Sequence, residues 1–384
     1  MPKIYYVANA RMPNEKAHGI QIAKMCEAFL TSGVDLTLVV PARKNTICTL
    51  KEFYGLSTTV PILRIPVPDL YLWGPVGFAV SSLFFMFFVE LYLAYKKIMG
   101  ERFFIYTIDM DNFSYAFLPL VGKTFTEMHT PKTPSLLQRF FFATVSGVVA
   151  TNGLILRRFV DDYSLPSTQI ISEPNGVDMK QFASEITQAE ARVKLSLPGA
   201  EKIVLYIGRF YRWKGLDILA PACAKLPPEV KCYVVGGTKE SFIEMTGVTK
   251  IPNNLIFIDA RPPSEIPLWL QAADALLLLG TAKNEDSNRY TSPMKLFEYM
   301  AAKKPIVASA TPAVSDVLTR EDAFLFVPDD TLSLVNTIEK ALLAIDAPER
   351  VRRAQNKVRA YTWDLRAKRI LSFIASQTKG ARTQ

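Results

Sequence analysis

The chain alternates between two kinds of apolar pattern. Short continuous apolar runs such as Lys3–Ala8 and Asp35–Val40 are typical of strands that are buried on both faces. Between such runs, segments such as His18–Ser32 space their apolar residues three and four positions apart, which predicts amphipathic helices. The regular exchange of these two patterns predicts an α/β fold with parallel sheets that helices cover on both faces.

The strand and helix pattern runs along the chain twice. The first series ends at the predicted strand Ile170–Ser172 and the turn sequence Pro174–Asp178, and a second series begins at Lys202–Ile207. We therefore predict two doubly wound, Rossmann-like domains, residues 1–173 and 174–360, that face each other across a cleft. Ligands of such sheets bind beyond the carboxyl ends of the strands, so candidate site residues are sought in the turns that follow them.

One segment, Leu70–Val89, is apolar over a length that raises the question of a membrane. It carries no charge over 20 positions, which is about what a spanning helix needs. Two glycines and a proline interrupt its beginning, however, and two serines lie in its middle. We interpret it as a buried or partly exposed helix of a soluble domain; an interfacial helix that touches a membrane and a true span are the alternatives.

Composition and charge narrow the class of protein. The 384 residues are 49% hydrophobic and 21% charged, which is typical of globular domains and excludes a disordered chain. The net charge of +9 falls mainly on residues 346–384, which carry ten basic and three acidic residues. We interpret this region as a solvated helix face, with contact to anionic lipid or an acidic ligand as the alternative. No nucleic-acid-reading motif accompanies the charge, so we expect no nucleic acid partner.

The cysteines and the N-terminus bear on the compartment. The four cysteines show no paired spacing and are interpreted as thiols of a reducing compartment: Cys26, Cys48, Cys223 and Cys232. The first residues lack the long apolar core and the cleavage site of a signal peptide. These observations favour a cytoplasmic protein.

A group of cations follows the predicted strand Lys202–Ile207. Gly208, Arg209, Arg212 and Lys214 come directly after its carboxyl end. Arginine offers a planar fork to phosphate oxygens, lysine offers a compact charge, and glycine allows the backbone to approach a ligand closely. The group predicts an anion site, and a solvated basic loop is the alternative.

The segment Arg289–Ala302 predicts a second part of this anion site. Ser292 is a good N-cap and Pro293 a good first residue, so we expect a helix to begin there and to offer free N–H groups to an anion. Glu298 lies off the apolar stripe of this helix, about 7–8 Å along its axis from Pro293. A diphosphate at the helix end and a ribose diol at Glu298 fit this spacing. A surface glutamate is the alternative.

The chain has two histidines, His18 and His129. Both lie in predicted strand-to-helix turns on the expected cleft side. A single histidine in such a turn is more often structural than functional, so the residues alone leave both interpretations open.

Taken together, these motifs resemble a GT-B fold nucleotide-sugar glycosyltransferase of the large retaining family four. The resemblance covers nearly the whole chain and rests on AHGIQIAKMCEAF, TEMHTP, PNGVD, YIGRFYRWKGL, YVVGG, AADALLLL, SPMKLFEYMAAKKPIVAS and YTWDLRAKRIL. It implies an acceptor-side first domain and a donor-binding second domain. It also implies that residues 361–384 form a closing helix and basic tail that pack toward the first domain.

The resemblance implies roles for individual residues. Arg209 and Lys214 would bind the donor diphosphate, His129 would contact the donor sugar near the reacting carbon, and Glu298 would hold the ribose as the second glutamate of a Glu-x7-Glu motif. Gly19 resembles a residue of the flexible loop before the first helix, and the resemblance implies that it contacts the donor. The other residues with implied contacts are Gly208, Tyr290, Thr291, Ser292, Pro293 and Met294 for the donor, and His18 and Glu127 for the acceptor or sugar.

One position departs from the family pattern. The first glutamate of the Glu-x7-Glu motif would fall at position 290, which is Tyr290. In the family this glutamate usually contacts the hydroxyl groups of the donor sugar. The departure therefore concerns the identity of the sugar and the activity itself, and the backbone amides of Thr291–Met294 are candidate replacements.

We therefore expect a retaining glycosyltransferase that moves a sugar from an NDP-sugar, with UDP favoured, to a hydroxyl acceptor in glycan, glycolipid or cell-surface polysaccharide synthesis. The expectation extends to a lipid-linked acceptor and a peripheral contact with an anionic membrane at its inner face. No metal or other cofactor is expected, because cations and a helix N-terminus stabilise the leaving diphosphate. The alternatives are a sugar-nucleotide epimerase or hydrolase on the same scaffold, and an inactive sugar-nucleotide-binding subunit.

Overall fold

The computed structural model describes residues 2–43, 48–68, 70, 73–109, 111, 113–183 and 186–379. The chain divides into two compact units, one formed by Met1–Pro174 together with Trp363–Gln384 and the other by Asn175–Thr362. Each unit is an α/β structure with one parallel sheet, so the predicted fold class is confirmed. The domain boundaries predicted from the sequence, 173/174 and 360/361, lie within two residues of these limits.

A seven-stranded parallel sheet forms the centre of the first unit. Its strands are β1 (Lys3–Val7), β2 (Leu36–Ala42), β3 (Ile62–Pro66), β4 (Phe103–Ile108), β5 (Thr124–Met128), β6 (Gly147–Ala150) and β7 (Ile170–Ser172). They lie in the order β3-β2-β1-β4-β5-β6-β7. The strand order reverses between β1 and β4, and at such a switch point the chain leaves the two neighbouring strands in opposite directions and opens a crevice.

The helices of the first unit follow its strands in the chain. They are α1 (Ala17–Thr31), α2 (Leu50–Tyr54), α3 (Gly74–Ile98), α4 (Leu118–Val121), α5 (Leu136–Thr144) and α6 (Gly153–Tyr163). Polar caps begin several of them: Ser135 accepts a hydrogen bond from the backbone of Gln138 at α5, and Asn152 accepts one from Ile155 at α6.

Strand β3 is missing from the sequence-based prediction. It lies at the edge of the sheet, where a single neighbour pairs with it, and most of its side chains are at least partly exposed. Pro61 precedes it, Pro66 is its last residue, and Arg64 interrupts its apolar run. An edge strand needs no continuous apolar pattern, because water covers part of it.

The second unit repeats this architecture with six parallel strands. They are β8 (Lys202–Ile207), β9 (Val230–Val235), β10 (Leu255–Ile258), β11 (Ala275–Leu278), β12 (Ile306–Ser309) and β13 (Phe324–Phe326). Their order is β10-β9-β8-β11-β12-β13, so the switch point of this sheet lies between β8 and β11. Buried apolar side chains fill the space on both faces of the sheet.

Eight α-helices of the described chain surround the second sheet. They are α7 (Gln188–Lys194), α8 (Leu219–Cys223), α9 (Lys239–Thr246), α10 (Ile266–Ala272), α11 (Met294–Ala301), α12 (Pro312–Ser315), α13 (Thr331–Leu343) and α14 (Ala347–Val358). The arginines of α14 are largely occupied by neighbouring carboxylates, as in the pairs Arg350–Asp346 and Arg352–Glu349. Much of the basic excess near the end of the chain is therefore paired within the protein.

The last helix of the chain, α15 (Trp363–Lys379), belongs to the first unit. It packs against α1 and β6. Ala367, Ile370 and Ile374 have no exposed surface there, and the ring of Phe373 lies 6.2 Å from that of Phe125. The first unit therefore completes its core with residues from both ends of the chain.

Candidate functional site

A pocket lies at the switch point of the second sheet. It is bounded by the ends of β11 and β12, the turn after β8 and the start of α11. Its lining residues are Trp213, Lys214, Leu278, Leu279, Gly280, Ser287, Thr291, Pro293, Lys295, Thr311, Ala313 and Val314. The position agrees with the expectation that a ligand of this sheet binds beyond the carboxyl ends of its strands.

Two lysines, Lys214 and Lys295, dominate the electrostatics of this pocket. Burial lowers the pKa of Lys214 to about 8. Burial also lowers the pKa of Lys295 well below its usual range, Lys214 lowers it further, and Glu298 opposes the effect. Among the described residues neither ammonium group has a carboxylate at ion-pair distance. The pocket thus holds two partly desolvated cations that disfavour each other's charge.

Aromatic rings support both ammonium groups. The Nζ of Lys295 lies 4.2 Å from the ring centroid of Tyr206, and that of Lys214 lies 4.9 Å from the ring of Tyr211 and 5.2 Å from that of Trp213. The hydroxyl of Tyr206 is buried beside Lys295 and has no hydrogen-bond partner among the described residues. Rings compensate a cation only in part, so a ligand with acceptor oxygens would still gain from this pocket.

Gly208 is required by the local geometry. Its φ of +139° is one that residues with side chains rarely adopt. A Cβ atom built on it would lie 2.6 Å from the Nζ of Lys295. The glycine predicted from the sequence therefore lets the backbone after β8 pass close to a cation that the sequence did not single out.

The start of helix α11 corrects one expectation. The helix begins at Met294, and Pro293 occupies the N-cap position in an extended conformation. Ser292 does not cap the helix, because its hydroxyl and carbonyl oxygens accept hydrogen bonds from the backbone and side chain of Asn175. The serine therefore fastens the loop before α11 to the PNGVD turn, and the helix N-terminus keeps its free N–H groups.

Glu298 lies on α11 where the helical spacing predicts it. Its side chain is partly buried, and burial raises the pKa of its carboxyl while Lys295 acts in the opposite direction. The rise per residue places it about 6 Å along the helix from Met294. Glu298 is therefore about one turn along the helix from its first residue.

The segment before α11 corrects two further expectations. The residues Asp286–Tyr290 form a π-helical turn, and the N–H of Thr291 donates to the carbonyl of Asp286. The side chain of Tyr290 is buried and its hydroxyl donates to Glu285, so Tyr290 does not line the pocket. Since Pro293 has no N–H, only the amides of Ser292 and Met294 can serve a ligand in this segment.

Arg209 and Arg212 follow β8 but lie at the surface. Both side chains are exposed, and neither lines the pocket. Arg209 directly follows Gly208 in the turn after β8. Of the cations predicted from the sequence, Lys214 is the one that the structure places in the pocket.

The first unit brings the two histidines together at the carboxyl ends of its strands. His18 lies in the first turn of α1, and His129 directly follows β5. Their ring centroids are 6.4 Å apart. Burial lowers the pKa of His18 to about 4, and His129 adds to this effect. His18 is therefore a neutral ring at physiological pH.

Glu127 and Gly19 are not placed as the sequence suggested. Glu127 has no exposed surface, because Gln21, Tyr106, His129 and Arg366 surround its carboxylate. It cannot contact an acceptor or sugar directly. Gly19 lies within α1 rather than in a loop before it, and a Cβ atom there would collide with the hydroxyl of Tyr54.

Two residues of these sites escaped the sequence-based prediction. Lys295 sits inside the quoted motif SPMKLFEYMAAKKPIVAS, three residues before Glu298, where i,i+3 spacing on a helix could have marked it. Arg366 lies far from Glu127 in the sequence, so no local pattern connects them. Among the described residues no group of histidine, cysteine or acidic side chains has the arrangement of a metal site.

Solved structures with this architecture identify the class of fold. The chain matches sucrose-phosphate synthase from Thermosynechococcus elongatus with a TM-score of 0.72 and 18% identity, covering 98% of this chain and 100% of that one. It matches Anabaena HepE in complex with UDP-glucose with a TM-score of 0.71 and 16% identity, covering 97% and 99% of the two chains. The protein has the GT-B fold, as the resemblance implies.

The family follows from the sequence of the second unit. Residues 187–358 match the family model of Glycosyl transferases group 1, which confirms the resemblance and makes this unit a glycosyltransferase domain of that group. The chain is 28% identical over 156 residues to D-inositol 3-phosphate glycosyltransferase of Segniliparus rotundus, covering 38% of this chain and 33% of the relative. It is 25% identical over 198 residues to alpha-monoglucosyldiacylglycerol synthase of Streptococcus pneumoniae, covering 49% and 43%. The matches thus span from a third to less than half of these relatives.

Proposed function

We propose that the protein transfers a sugar from a nucleoside diphosphate sugar to a hydroxyl acceptor. The observation that carries the proposal is the lysine pair, Lys214 and Lys295, in the pocket of the second unit. Two neighbouring ammonium groups that the protein desolvates are costly without a counter-ion. A diphosphate offers several anionic oxygens at once and offsets this cost, whereas a neutral ligand does not.

The remaining groups of the pocket fit the other parts of such a donor. In the proposed complex, the N–H groups of Ser292 and Met294 and the positive end of the α11 dipole bind the diphosphate. Glu298, about one turn further along the helix, accepts hydrogen bonds from the two hydroxyls of the ribose. Arg209, in the turn after β8, supplies a further charge to the phosphates.

The chemistry proposed for this donor is a same-face displacement. The bond between the sugar C1 and the diphosphate oxygen breaks, and the acceptor oxygen forms the new bond to C1. The acceptor proton passes to an oxygen of the leaving diphosphate. Lys214 and Lys295 stabilise the charge that develops on that diphosphate, so the reaction needs no metal ion. His129 of the first unit is proposed to contact the donor sugar near C1.

The donor base and the acceptor class are proposed from the similar proteins. The HepE structure holds UDP-glucose, and the relatives are named for transfer to an inositol phosphate and for synthesis of a glycolipid. We therefore favour UDP-sugars as donors and a glycan or lipid-linked hydroxyl as the acceptor.

Calorimetry with UDP tests the donor site. Lys214→Met and Lys295→Met are each expected to weaken UDP binding about 10- to 100-fold, since each removes a charged hydrogen bond to phosphate. Lys283→Met is the matched control, because Lys283 is an exposed lysine of the same unit that pairs with Asp217. Full UDP affinity in both pocket variants would contradict the assignment.

Product analysis separates glycosyl transfer from the alternatives. Transfer consumes the acceptor and releases one UDP for each sugar moved, with or without a chelator. Epimerisation releases no UDP, hydrolysis releases UDP without an acceptor, and an inactive subunit binds UDP without turnover. Any of these three results would replace the proposed activity.

We further propose that the protein works at the cytoplasmic face of an anionic membrane. Among the described residues α3 alone has the length and apolar composition of a membrane span, but Phe85, Met86 and Val89 on its inner face are buried in the first unit. The helix therefore lies along the protein surface. Its outer face exposes a stripe of uncharged, largely apolar side chains, formed by Val76, Leu83, Phe84, Phe87, Phe88, Leu91, Tyr95 and Ile98.

Neighbouring elements extend this apolar face and supply charge at its margin. Phe117 and Leu120 at α4 and Leu136 and Phe140 at α5 are also exposed, and the rings of Phe117 and Phe140 are 5.8 Å apart. Exposed cations border these helices, namely Lys97, Arg102, Lys123 and Arg139. An apolar face with basic margins fits the interface of an anionic bilayer, whereas two copies of it would repel each other.

Vesicle sedimentation tests the membrane contact. Wild-type protein is expected to bind phosphatidylglycerol vesicles, more weakly at high salt because salt screens the lipid charge. Phe87→Glu should abolish binding, while Leu343→Glu, at an even more exposed apolar position of the second unit, should not. Equal binding of both variants, or no binding of the wild type at low salt, would refute this contact.

A further inference from the structure

A buried carboxylate in the first unit connects the last helix of the chain to His129. The Oε1 atom of Glu127 accepts hydrogen bonds from His129 Nε2 at 2.9 Å and from Gln21 Nε2 at 2.6 Å, and it lies 2.8 Å from Nη2 of Arg366. Its Oε2 atom accepts from the Tyr106 hydroxyl at 2.6 Å and from Arg366 Nη1 at 3.1 Å. Both oxygens of the carboxylate are thus fully used.

Arg366 reaches this carboxylate from helix α15 in a fixed orientation. The side chain has no exposed surface. Its Nε donates to the carbonyl of Pro174 at 2.8 Å and its Nη2 to the carbonyl of Glu173 at 3.1 Å. These two carbonyls, just after β7, set the plane of the guanidinium group, which then meets Glu127 with both of its terminal nitrogens.

The pair determines the charge on Glu127. Burial alone would raise the pKa of this carboxyl, but Arg366 and the hydrogen bond from His129 outweigh burial and hold the pKa far below its usual range. Glu127 is therefore a carboxylate at every physiological pH. A carboxylate stays ionised in the protein interior only beside a buried counter-ion. Among the described residues, Arg366 is the cation that contacts both oxygens of Glu127.

The charge on Glu127 in turn determines the hydrogen positions of His129. A carboxylate can only accept, so the Nε2 atom of His129 must carry a hydrogen. In the neutral ring the Nδ1 atom is then the bare nitrogen and an acceptor. The ring is held at Nε2, and its other edge, with 22% of the side chain exposed, is left for contacts outside the core.

We propose that Arg366 is a positioning residue that fixes the tautomer and orientation of His129 through Glu127. The proposal rests on the proposed function only in giving His129 a task at the donor sugar. On this proposal α15 contributes to the site of the first unit, because the helix must pack in place before the orientation of His129 is fixed. Arg366 itself contacts no substrate.

Loss of the arginine has a defined consequence for protons. In Arg366→Met the buried carboxylate loses its counter-ion. Uptake of one proton from solvent by the Glu127–His129 pair then becomes favourable. That proton either converts His129 to the imidazolium, which then replaces the arginine as counter-ion, or neutralises Glu127 so that it no longer selects one tautomer. In both cases Glu127 no longer selects the neutral tautomer with hydrogen at Nε2.

Nitrogen NMR of the histidine rings tests this directly. Histidine-labelled protein gives signals from two rings alone, and a His18→Gln variant assigns them. In the wild type the neutral ring of His129 is expected to carry its hydrogen at Nε2 alone, and Arg366→Met is expected to show an imidazolium or a mixture of tautomers under the same conditions. Arg369→Met is the matched control, since Arg369 lies one turn along α15 and its Nε pairs with the carboxylate of Glu173.

Two further variants separate positioning from folding. Arg366→Lys keeps a cation but loses the two-pronged contact, so we expect a folded protein with an ionised Glu127 and a less uniform ring orientation. Arg366→Met combined with Glu127→Gln removes both charges and should recover the thermal stability that Arg366→Met loses. It should not recover the tautomer, because an amide can accept from the ring or donate to it.

Kinetic measurements complete the test and distinguish a failure of the positioning proposal from a failure of the proposed function. With a donor and acceptor in hand, Arg366→Met and the double variant are expected to lower kcat about a hundredfold, as a misplaced group does. UDP affinity should be unchanged, because the lysine pocket lies in the other unit. An unchanged His129 tautomer in the stable double variant, or equal effects of Arg369→Met, would overturn the proposal. A wild type without transferase activity would refute the function alone, since the NMR result judges the positioning independently.

Discussion

At the scale of single residues, the two lysines in the pocket of the second unit lower the stability of the folded protein and favour the binding of an anion. Lys214 and Lys295 are partly buried cations without carboxylate partners among the described residues, and their lowered pKa values express the cost of charging them in the folded protein. A protein selected for stability alone would hold apolar side chains there. A polyanionic ligand that binds in the pocket, as proposed above, would account for the presence of the two lysines.

Replacement of the more buried lysine should reveal this conflict. Lys295→Met keeps a similar volume and removes a poorly solvated charge, so we expect the free energy of unfolding at pH 7 to rise by about 1–2 kcal/mol. The same change should weaken UDP binding, as described above. Thermal denaturation with and without UDP measures both effects, and a variant less stable than the wild type would contradict the assigned electrostatics.

The pH dependence of UDP binding follows from Lys214. Its pKa is about 8 in the folded protein and near the ordinary value of 10.5 in the unfolded chain. Between these values the unfolded chain binds the proton first, so this lysine makes the free energy of unfolding rise with pH in that window. UDP favours the charged lysine, so its affinity should fall as pH rises above about 8. Calorimetry in buffers of different ionisation enthalpy should detect proton uptake near pH 8; no uptake would disprove the linkage.

At the scale of elements, the start of α11 is positioned by a turn distant in sequence. The side-chain amide of Asn175 in the PNGVD motif donates to the carbonyl of Ser292 at 2.7 Å, and its backbone N–H donates to the Ser292 hydroxyl. A π-helical turn leads into the same segment, and such turns are frequent at functional sites. The helix N-terminus is thus aimed by its connections and not by a capping side chain.

Asn175→Ala tests whether this connection matters for the ligand. The variant loses a buried hydrogen bond to the loop, so we expect a stability loss of about 1–2 kcal/mol and UDP binding about tenfold weaker. Asn254→Ala is the matched control, because Asn254 is equally buried in the second unit and donates to the carbonyls of Cys223 and Val230. It should lose similar stability and keep its UDP affinity. Equal UDP affinities of the two variants would contradict the claim that Asn175 positions the start of α11 for UDP.

At the scale of the whole molecule, the first unit is discontinuous in sequence and the second is continuous. Helix α15 supplies the first unit with buried Ala367, Ile370 and Ile374 and with the counter-ion of Glu127. The second unit has its complete sheet and core between Asn175 and Thr362. The two units therefore depend very differently on the end of the chain.

Removal of residues 363–384 should act on one unit alone. We expect calorimetry of the truncated protein to show a strongly lowered unfolding transition for the first unit, because several fully buried apolar side chains are lost. The transition of the second unit should remain, and UDP should still raise its midpoint, since a ligand stabilises the unit that binds it. A loss of UDP binding on truncation would contradict the independence of the second unit.

Local sequence patterns were sufficient for the architecture and for part of the site. Strands such as β5 and β8 are continuous apolar runs because helices bury both of their faces, and this pattern stands in the sequence itself. The position of Lys214 in a pocket beyond the strand ends could likewise be predicted, because cations that follow a strand have a local meaning. The edge strand β3 escaped because water covers part of it and its apolar run is broken.

The tertiary structure decided what depends on residues far apart in the chain. Ser292 looks like an N-cap until Asn175 is seen to occupy its oxygens, and Tyr290 looks like a ligand residue until its ring is seen to be buried. Lys295 becomes a site residue only beside Gly208, and Glu127 becomes the anchor of His129 only when Arg366 arrives from the last helix. Helical and strand periodicity record burial along one element, whereas hydrogen-bond partners and counter-ions are set by the packing of several elements together.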